Sequence, residues 1–372
     1  MHILFAGGGT AGHINPALAV AGYIREKHPD AHISYIGTPD KLEAKLVPEK
    51  GYNFRTIQVS GFKRSFSIKG IIGNVEALSL AASASVSARK ILKELEPDVV
   101  VGTGGYVSGP VLREASKLGI KTAIHEQNAF PGVTTKMLAS RVDAVMLAMP
   151  EAQKYMKLKS KPYITGNPVR RELLKISRDE ARQSLNMDER PLLLSFGGSL
   201  GAKYINMAVE GLIKWHNNTG MFYHIHGAGK AGFNDMINDF KEDDITLSEE
   251  IDVREYIKNM DQCMAAADLV ISRAGAITLS EITALGKPAI LIPSPYVAEN
   301  HQYHNAMTLK RAGAAEIIEE KDLTAERLIK EVEGLIHNKS RLKAMAENSK
   351  KIAITDANER IYEVIMKLYT NA

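Results

Sequence analysis

Short apolar segments rich in β-branched residues alternate with segments of helical periodicity along the whole chain. This pattern predicts parallel strands covered by helices on both faces, so the predicted fold class is α/β. The predicted strands of the first half are 3–6, 33–36, 55–59, 99–102, 122–125 and 144–147. Those of the second half are 192–196, 223–226, 269–272, 289–292 and 315–318.

The same alternation restarts near the middle of the chain, and each half opens with a strand, a glycine turn and a helix. A chain of 372 residues exceeds what one hydrophobic core usually serves. Gly and Pro residues in 163–168 mark the junction, and 177–180 is a capping-box pattern that opens the next helix. We predict two Rossmann-like, doubly wound parallel-sheet domains, 1–165 and 166–355, that face a cleft. A helix at about 356–372 is expected to return to the first domain.

Composition narrows the class of protein. The chain has 45% hydrophobic and 24% charged residues, as globular proteins do, and a formal charge of only +4 without a long basic run. These values do not favour a nucleic-acid partner. The single cysteine, Cys263, excludes an intrachain disulfide and indicates a reducing compartment. The first residues lack the basic region and the small-residue cleavage site of a secretory signal, and the uncharged stretch 77–88 is too short to cross a bilayer. We therefore expect any membrane contact to be peripheral.

The first glycine loop, 7–12, follows a strand and precedes a helix, and its spacing fits a dinucleotide-binding fingerprint. A dehydrogenase also needs an acidic residue at the end of the second strand, which here ends Ile36-Gly37-Thr38. A tight strand-to-helix turn explains the glycines equally well. His13 favours a site, because an imidazole at the carboxyl end of a parallel sheet stands where ligands bind and can exchange protons with them.

Two further segments of the first half are rich in potential ligand contacts. Residues 102–110 contain four glycines around Tyr106, which indicates a close backbone approach or a wide turn. His125, Glu126, Gln127 and Asn128 follow one another at the end of a strand. Four such side chains are costly to bury without partners, so a polar ligand is favoured over a structural network.

The second half of the chain repeats the arrangement of a strand, a glycine turn and a helix. Residues 196–202 form a strand, a glycine turn and the start of a helix, so backbone amides and Ser199 could hold a phosphate. In 272–281, Thr278 and Glu281 either form a capping box or leave Glu281 to accept hydrogen bonds from a ribose. His301 and His304 could be mistaken for metal ligands, but no carboxylate or thiolate pattern completes a site.

Residues 62–72 mix apolar and basic side chains ahead of a long helix rich in small residues. This mixture suits insertion into an anionic membrane surface, and a core-facing stripe with solvated lysines explains it equally well. The candidate membrane contacts are Phe62, Lys63, Arg64, Phe66, Ile68, Lys69, Ile71 and Ile72.

The order of these segments resembles the MurG family of N-acetylglucosaminyltransferases over nearly the whole chain. Each motif alone is weak evidence, whereas six in family order are specific. The chain departs from the family at Ala11, where a glycine is usual, and at His301, where some members have glutamine. The motifs are GGGTAGHINPAL at 7–18, GTGGYVSGP at 102–110, HEQNAFPG at 125–132, TGNPVR at 165–170, FGGSLGA at 196–202 and SRAGAITLSE at 272–281.

The resemblance implies a GT-B fold with a UDP-N-acetylglucosamine donor in the C-terminal domain and a lipid-linked muramyl-pentapeptide acceptor in the N-terminal domain. It also implies a peripheral position on the cytoplasmic face of the cell membrane, a role in peptidoglycan synthesis, cell shape and division, and contacts with other cell-wall synthesis proteins. The implied donor-binding residues are Arg170, Ser199, Ala276, Ile277, Thr278, Glu281, Gln302 and Asn305. The implied acceptor-binding residues are Thr10, Gly12, His13, Tyr106, Glu126 and Asn128.

Transfer with inversion needs a base for the C4 hydroxyl of the acceptor and stabilisation of the departing diphosphate. We expect His13 to be the base, with Glu126 as the alternative. The donor half has no Asp-x-Asp motif, so no cofactor is required, although a loosely bound Mg²⁺ is compatible with the sequence. Three other functions stay open: a related glycolipid transferase, a UDP-N-acetylglucosamine 2-epimerase and a non-catalytic nucleotide-sugar sensor.

Overall fold

The computed structural model of the chain describes residues 1–59, 68–198 and 201–371, and over 68–81 it describes the backbone alone. These residues form two compact units. The first comprises Met1–Pro168 together with Asp356–Ala372, and the second is Val169–Thr355.

The first unit is built on a sheet of seven parallel strands, counted over the described residues, in the order β3-β2-β1-β4-β5-β6-β7. The strands are β1 His2–Gly7, β2 His32–Gly37, β3 Asn53–Thr56, β4 Val99–Gly104, β5 Lys121–Glu126, β6 Ala144–Leu147 and β7 Tyr163–Ile164. The helices are α1 Ala11–Lys27, α2 Glu43–Glu49, α3 Ile68–Leu95, α4 Gly105–Lys117 and α5 Val133–Leu138, with a 3-10 helix at Pro150–Tyr155. Strand order reverses between β1 and β4, which makes that point the topological switch of a doubly wound sheet.

Both faces of this sheet are buried. Leu4 of β1 belongs to the apolar cluster on one face, whereas Ile3 and Phe5 belong to the cluster on the other. Two buried faces explain why the strands appear as continuous apolar runs rather than as alternating ones.

The C-terminal helix α14, Ala357–Thr370, belongs to the first unit. Its buried residues Ile361, Val364 and Ile365 join the cluster of Ile3 and Phe5. The Tyr362 hydroxyl lies 2.7 Å from His28 Nε2 at the end of α1. Burying each large aliphatic side chain contributes about 1.5–3 kcal/mol, so the helix is fixed mainly by its apolar face.

The second unit contains six parallel strands in the described residues, in the order β10-β9-β8-β11-β12-β13. They are β8 Leu192–Phe196, β9 Tyr223–Gly227, β10 Ile251–Arg254, β11 Leu269–Ser272, β12 Ala289–Leu291 and β13 Ala315–Ile317. The helices are α6 Arg178–Ser184, α7 Lys203–His216, α8 Phe233–Glu242, α9 Met260–Ala266, α10 Ala276–Ala284, α11 His301–Arg311, α12 Ala325–Ile336 and α13 Lys339–Lys351. Short 3-10 helices lie at Arg171–Leu174, Ala298–Asn300 and Glu320–Asp322. Here the order reverses between β8 and β11.

The α/β fold class and the two doubly wound sheets are confirmed. The capping box of α6 is also confirmed, because Ser177 Oγ accepts from the Glu180 N–H while the Glu180 carboxylate accepts from the Ser177 N–H. The prediction for β3 was displaced: the strand is Asn53–Thr56, and only Ile57 continues its pairing with β2, through a bond to the Gly37 carbonyl.

Two edge strands, β7 and β10, were missed in the sequence. β7 has two residues, and its Gly-Pro surroundings indicated only a junction. β10 is mostly half-buried, and its charged residues Asp252 and Arg254 alternate with its two apolar residues. None of the helices in the described part of the chain combines the length and apolar character needed to span a bilayer.

Candidate active site

In the first unit, two glycine turns meet at the switch point between β1 and β4. Gly7 pairs with Gly104 where the two strands end. Gly104 and Gly105 have φ of +108° and +76°, and a Cβ on Gly105 would lie 2.4 Å from the Gly8 carbonyl oxygen. Glycine is therefore required at 104–105 both by backbone conformation and by the close approach of the two turns.

His13 lies in the first turn of α1, directly at this meeting point. Its ring packs over Gly104, where an added Cβ would be 2.5 Å from His13 Nδ1. Nδ1 is 3.2 Å from Oε1 of Gln127. The half-buried imidazole is thus held on one side and partly open on the other, as a group that exchanges protons with a ligand needs to be.

Three other predicted acceptor residues surround the same edge of the sheet. Thr10 is the exposed N-cap of α1, with no side-chain capping bond, and Gly12 follows in the first turn. Tyr106 is in the first turn of α4 and is 60% exposed. The structure therefore brings Thr10, Gly12, His13 and Tyr106 to one edge, although their roles stay predictions.

Glu126 ends β5 and is only 3% exposed. Its Oε1 accepts hydrogen bonds from the Asn128 N–H and the Asn128 amide, and its Oε2 accepts one from the Gly132 N–H, all at 3.1 Å. The Glu126 carboxylate therefore stabilises the loop that follows β5. These contacts favour His13 over Glu126 as the group able to accept a proton.

In the second unit, Arg170 and Glu281 form an ion pair, with Arg170 Nε donating to Glu281 Oε1 at 2.8 Å. Glu281 is 9% exposed, whereas about half of the Arg170 side chain is accessible. The capping-box alternative for Thr278 and Glu281 is excluded, because α10 begins at Ala276 with Gly275 as its N-cap.

The other predicted donor residues described in this unit lie in α10 and α11, the helices that follow β11 and β12. Ala276, Ile277 and Thr278 form the first turn of α10. Gln302 Oε1 accepts from the Ser294 N–H at 2.9 Å. Asn305 is fully buried, and its amide donates to the Ala274 carbonyl at 3.2 Å, so it connects α11 to the loop before α10.

Sequence reasoning missed two neighbours of Arg170, Tyr256 and Asp261, which lie close enough to interact with it electrostatically. Tyr256 is 60% exposed in the segment that follows β10, the strand that was also missed. Sequence reasoning also assigned no role to Gln127, although its position between two predicted site residues, Glu126 and Asn128, indicated that it lies at the site.

Several predicted residues fall where no side chain is described. Ser199, Phe62, Lys63, Arg64 and Phe66 lie outside the described residues. Ile68, Lys69, Ile71 and Ile72 lie in α3, where the backbone alone is described. Among the described residues, no group of three or more His, Cys, Asp or Glu side chains could hold a metal ion.

Two family models match the chain: the glycosyltransferase family 28 N-terminal domain over residues 3–147 and the family 28 C-terminal domain over residues 192–361. The two doubly wound sheets, each with glycine-rich turns at its switch point, are those of the GT-B glycosyltransferases. The chain is a GT-B glycosyltransferase of family 28.

Full-length relatives define the family more closely. The chain is 49% identical to the UDP-N-acetylglucosamine–N-acetylmuramyl-(pentapeptide) pyrophosphoryl-undecaprenol N-acetylglucosamine transferase of Acetivibrio thermocellus, covering 100% of this chain and 99% of the relative. It is 47% identical to the protein of the same name in Ruminiclostridium cellulolyticum, over 99% and 100%. The crystal structure of Acinetobacter baumannii MurG superimposes with a TM-score of 0.79 at 27% identity, covering 98% of this chain and 99% of that one. The chain belongs to the MurG family.

Replacing Gly104 by alanine is expected to displace the His13 ring. The new methyl group would meet Nδ1 at 2.5 Å, and φ of +108° strains any L residue. We expect a loss of about 1–3 kcal/mol in unfolding free energy and at least a tenfold fall in kcat. Gly119→Ala is the control, because it has φ of +77° with open space around its Cβ. An equal fall in kcat for both variants would contradict the displacement.

Proposed function

We propose that the chain transfers N-acetylglucosamine from UDP-N-acetylglucosamine to the C4 hydroxyl of undecaprenyl-pyrophosphoryl-N-acetylmuramyl-pentapeptide, with inversion at the anomeric carbon. The full-length relatives carry the name of this transferase. The observation that carries the mechanism is the half-buried His13 imidazole, held over Gly104 at the switch point of the first sheet. The N-terminal unit takes the acceptor and the C-terminal unit takes the donor.

On the acceptor side, His13 removes the proton of the attacking hydroxyl. Thr10, Gly12 and Tyr106 line the same edge of the sheet and meet the muramyl-pyrophosphate end. Glu126 and Asn128 support this site through the hydrogen bonds that fix their loop.

On the donor side, Glu281 holds the ribose and Arg170 faces the diphosphate, with Ser199 as its partner. Ala276, Ile277 and Thr278 extend along the uracil and the phosphates, while Gln302 binds the sugar hydroxyls. The buried Asn305 supports this site through its hydrogen bond to the Ala274 carbonyl. The helix dipole at the N-terminal turn of α10 stabilises a nearby anion by about 0.3–1 kcal/mol. Leaving-group charge is thereby balanced by protein groups, and a loosely held Mg²⁺ adds to them if present.

The acceptor carries a long lipid, so the enzyme works at the cytoplasmic face of the cell membrane as a peripheral protein. Residues 62–72, which mix Phe and Ile with Lys and Arg, would contact anionic headgroups.

Release of UDP, measured with and without the lipid-linked muramyl-pentapeptide, tests the function. We expect release to require that acceptor. Consumption of the donor without acceptor would indicate an epimerase, binding without release would indicate a sensor, and transfer to diacylglycerol would indicate a glycolipid transferase.

Replacing Arg170 by methionine is expected to raise the KM for UDP-N-acetylglucosamine by about tenfold to a hundredfold. The substitution removes a charge that faces the diphosphate and leaves the buried Glu281 carboxylate without its 2.8 Å partner. Arg171→Met, on the adjacent exposed arginine, controls for loss of positive charge. Steady-state kinetics with saturating acceptor gives the comparison, and an unchanged donor KM in Arg170→Met would exclude this role.

A further inference from the structure

Gln127 is a buried glutamine, 3% exposed, directly behind His13. Its Nε2 is 3.0 Å from the Thr103 carbonyl oxygen and 3.1 Å from the His125 carbonyl oxygen. Carbonyl oxygens accept hydrogen bonds and never donate them, so the NH₂ group must face them. The reversed amide would place Oε1 against two oxygens in a buried site, which costs the hydrogen bonds and adds repulsion.

This amide orientation decides which nitrogen of His13 carries the proton. Gln127 Oε1 can only accept, and it lies 3.2 Å from His13 Nδ1. Nδ1 must therefore be the N–H of the neutral ring, and Nε2 keeps its lone pair. A neutral histidine side chain free in water prefers the Nε2–H tautomer, so the protein imposes the Nδ1–H form.

Gln127 is itself held in place by hydrogen bonds with His125 and Asn167. Its Nε2 lies 3.0 Å from His125 Nδ1, and the His125 Nε2–H donates to the Gly166 carbonyl at 2.9 Å. Burial lowers the pKa of His125, so this ring stays neutral and its Nδ1 remains an acceptor. The Asn167 amide holds the Gln127 backbone carbonyl at 3.2 Å.

We propose that Gln127 is a positioning residue that locks His13 in the Nδ1–H tautomer, so that Nε2 takes the proton of the acceptor hydroxyl. The proton moves to Nε2 as the hydroxyl oxygen bonds to the anomeric carbon, and the bond from that carbon to the diphosphate oxygen breaks with its electron pair leaving on UDP. The inference rests on the proposed function for the identity of this proton, but the tautomer is independent of it.

The tautomer can be measured without substrate. In the protein labelled with ¹⁵N-histidine, long-range ¹H–¹⁵N spectra distinguish the two neutral forms, and the His13→Gln spectrum identifies the His13 signals. We expect Nδ1–H in the native protein and a shift towards Nε2–H in Gln127→Met. Nε2–H in the native protein, or an unchanged tautomer in the variant, would overturn the role of Gln127, and the first result does not depend on the folding of any Gln127 variant.

Kinetics test the consequence. Gln127→Met should lower kcat by about tenfold to a hundredfold, with little change in either KM. The loss should be smaller than the roughly ten-thousandfold that follows when a serine protease loses the charged carboxylate that fixes its histidine tautomer. In a His13→Ala background the same substitution should cause no further loss, since Gln127 acts through His13. An additive loss would overturn the proposal.

Thr122→Val is the matched control, because it removes the 2.9 Å hydrogen bond from the buried Thr122 hydroxyl to Asp143, in the strand that Gln127 follows, without contacting His13. Its kcat should stay near the native value, and an equal fall there would show that general destabilisation explains the Gln127 result. Full turnover of His13→Ala would refute the base in the proposed function, whereas the spectra alone decide the tautomer.

Discussion

Replacing His13 by alanine is expected to lower kcat by about a hundredfold to ten-thousandfold, the usual contribution of a general base. The imidazole is the proposed proton acceptor, and it is half-buried at this edge of the sheet, with Nδ1 held by Gln127 and the ring packed over Gly104. Glu126 is a poor substitute, since its carboxylate already accepts three hydrogen bonds from its own loop. The loss should fall on kcat, because the residues that we propose bind the donor belong to the other unit.

The measurement is steady-state UDP release with both substrates saturating. His32→Ala is the control, because His32 is an exposed histidine at the start of β2, the opposite end of the sheet from His13. Native turnover in His13→Ala would make the base assignment wrong, whereas a raised donor KM at native kcat would indicate a binding role instead.

The sequence predicted the parts of the fold that depend on local pattern. Central strands such as β1 and β8 are buried on both faces, so their apolar runs are unmistakable. The edge strands β7 and β10 are short and half-buried, and hydrogen bonds to β6 and β9 define them. Such strands exist because a neighbour is present, which single-sequence patterns do not encode.

The candidate site likewise has features that local sequence encodes and contacts between residues far apart in the chain. His13 and its glycine turn are encoded within a few residues and were predicted. The contact between His13 and Gln127 spans 114 residues, and the pair of Arg170 and Glu281 spans 111. These contacts depend on strand order and on where each loop leaves the sheet. The family resemblance indicated Arg170 and Glu281 as separate donor residues, but nothing in the spacing indicated that they pair.

Lowering the pH from 7 to 5 is expected to destabilise the C-terminal unit, because it buries a chain of three neutral histidines. His216 Nε2 lies 3.0 Å from His224 Nδ1, and Ser195 Oγ lies 2.8 Å from both His224 Nε2 and His226 Nδ1. Burial lowers the pKa of His216 and of His226 to about 4, and burial also lowers the pKa of His224, with the neighbouring imidazoles adding to the effect.

The unfolded chain titrates these groups near their ordinary pKa of about 6.5, so below that pH it binds more protons than the folded chain. Their contribution is complete above pH 6.5 and is lost as the pH falls towards 4. For one imidazole with these pKa values, the step from pH 7 to 5 removes about 2 kcal/mol of unfolding free energy. Carboxylates whose pKa is lowered, such as Asp188 and Glu250, lose their contribution mainly at lower pH.

Trp215, the single tryptophan, packs against the core of the C-terminal unit, so its fluorescence during urea unfolding reports on that unit. The Gln side chain of His216→Gln can still hydrogen-bond to His224 Nδ1 but cannot be protonated, so the stability lost between pH 7 and 5 should be smaller than in the native protein by about 2 kcal/mol. His337→Gln, at an exposed helix end, should leave the pH dependence unchanged. Identical pH dependence in the native protein and His216→Gln would mean that His216 is not the group whose protonation destabilises the folded unit.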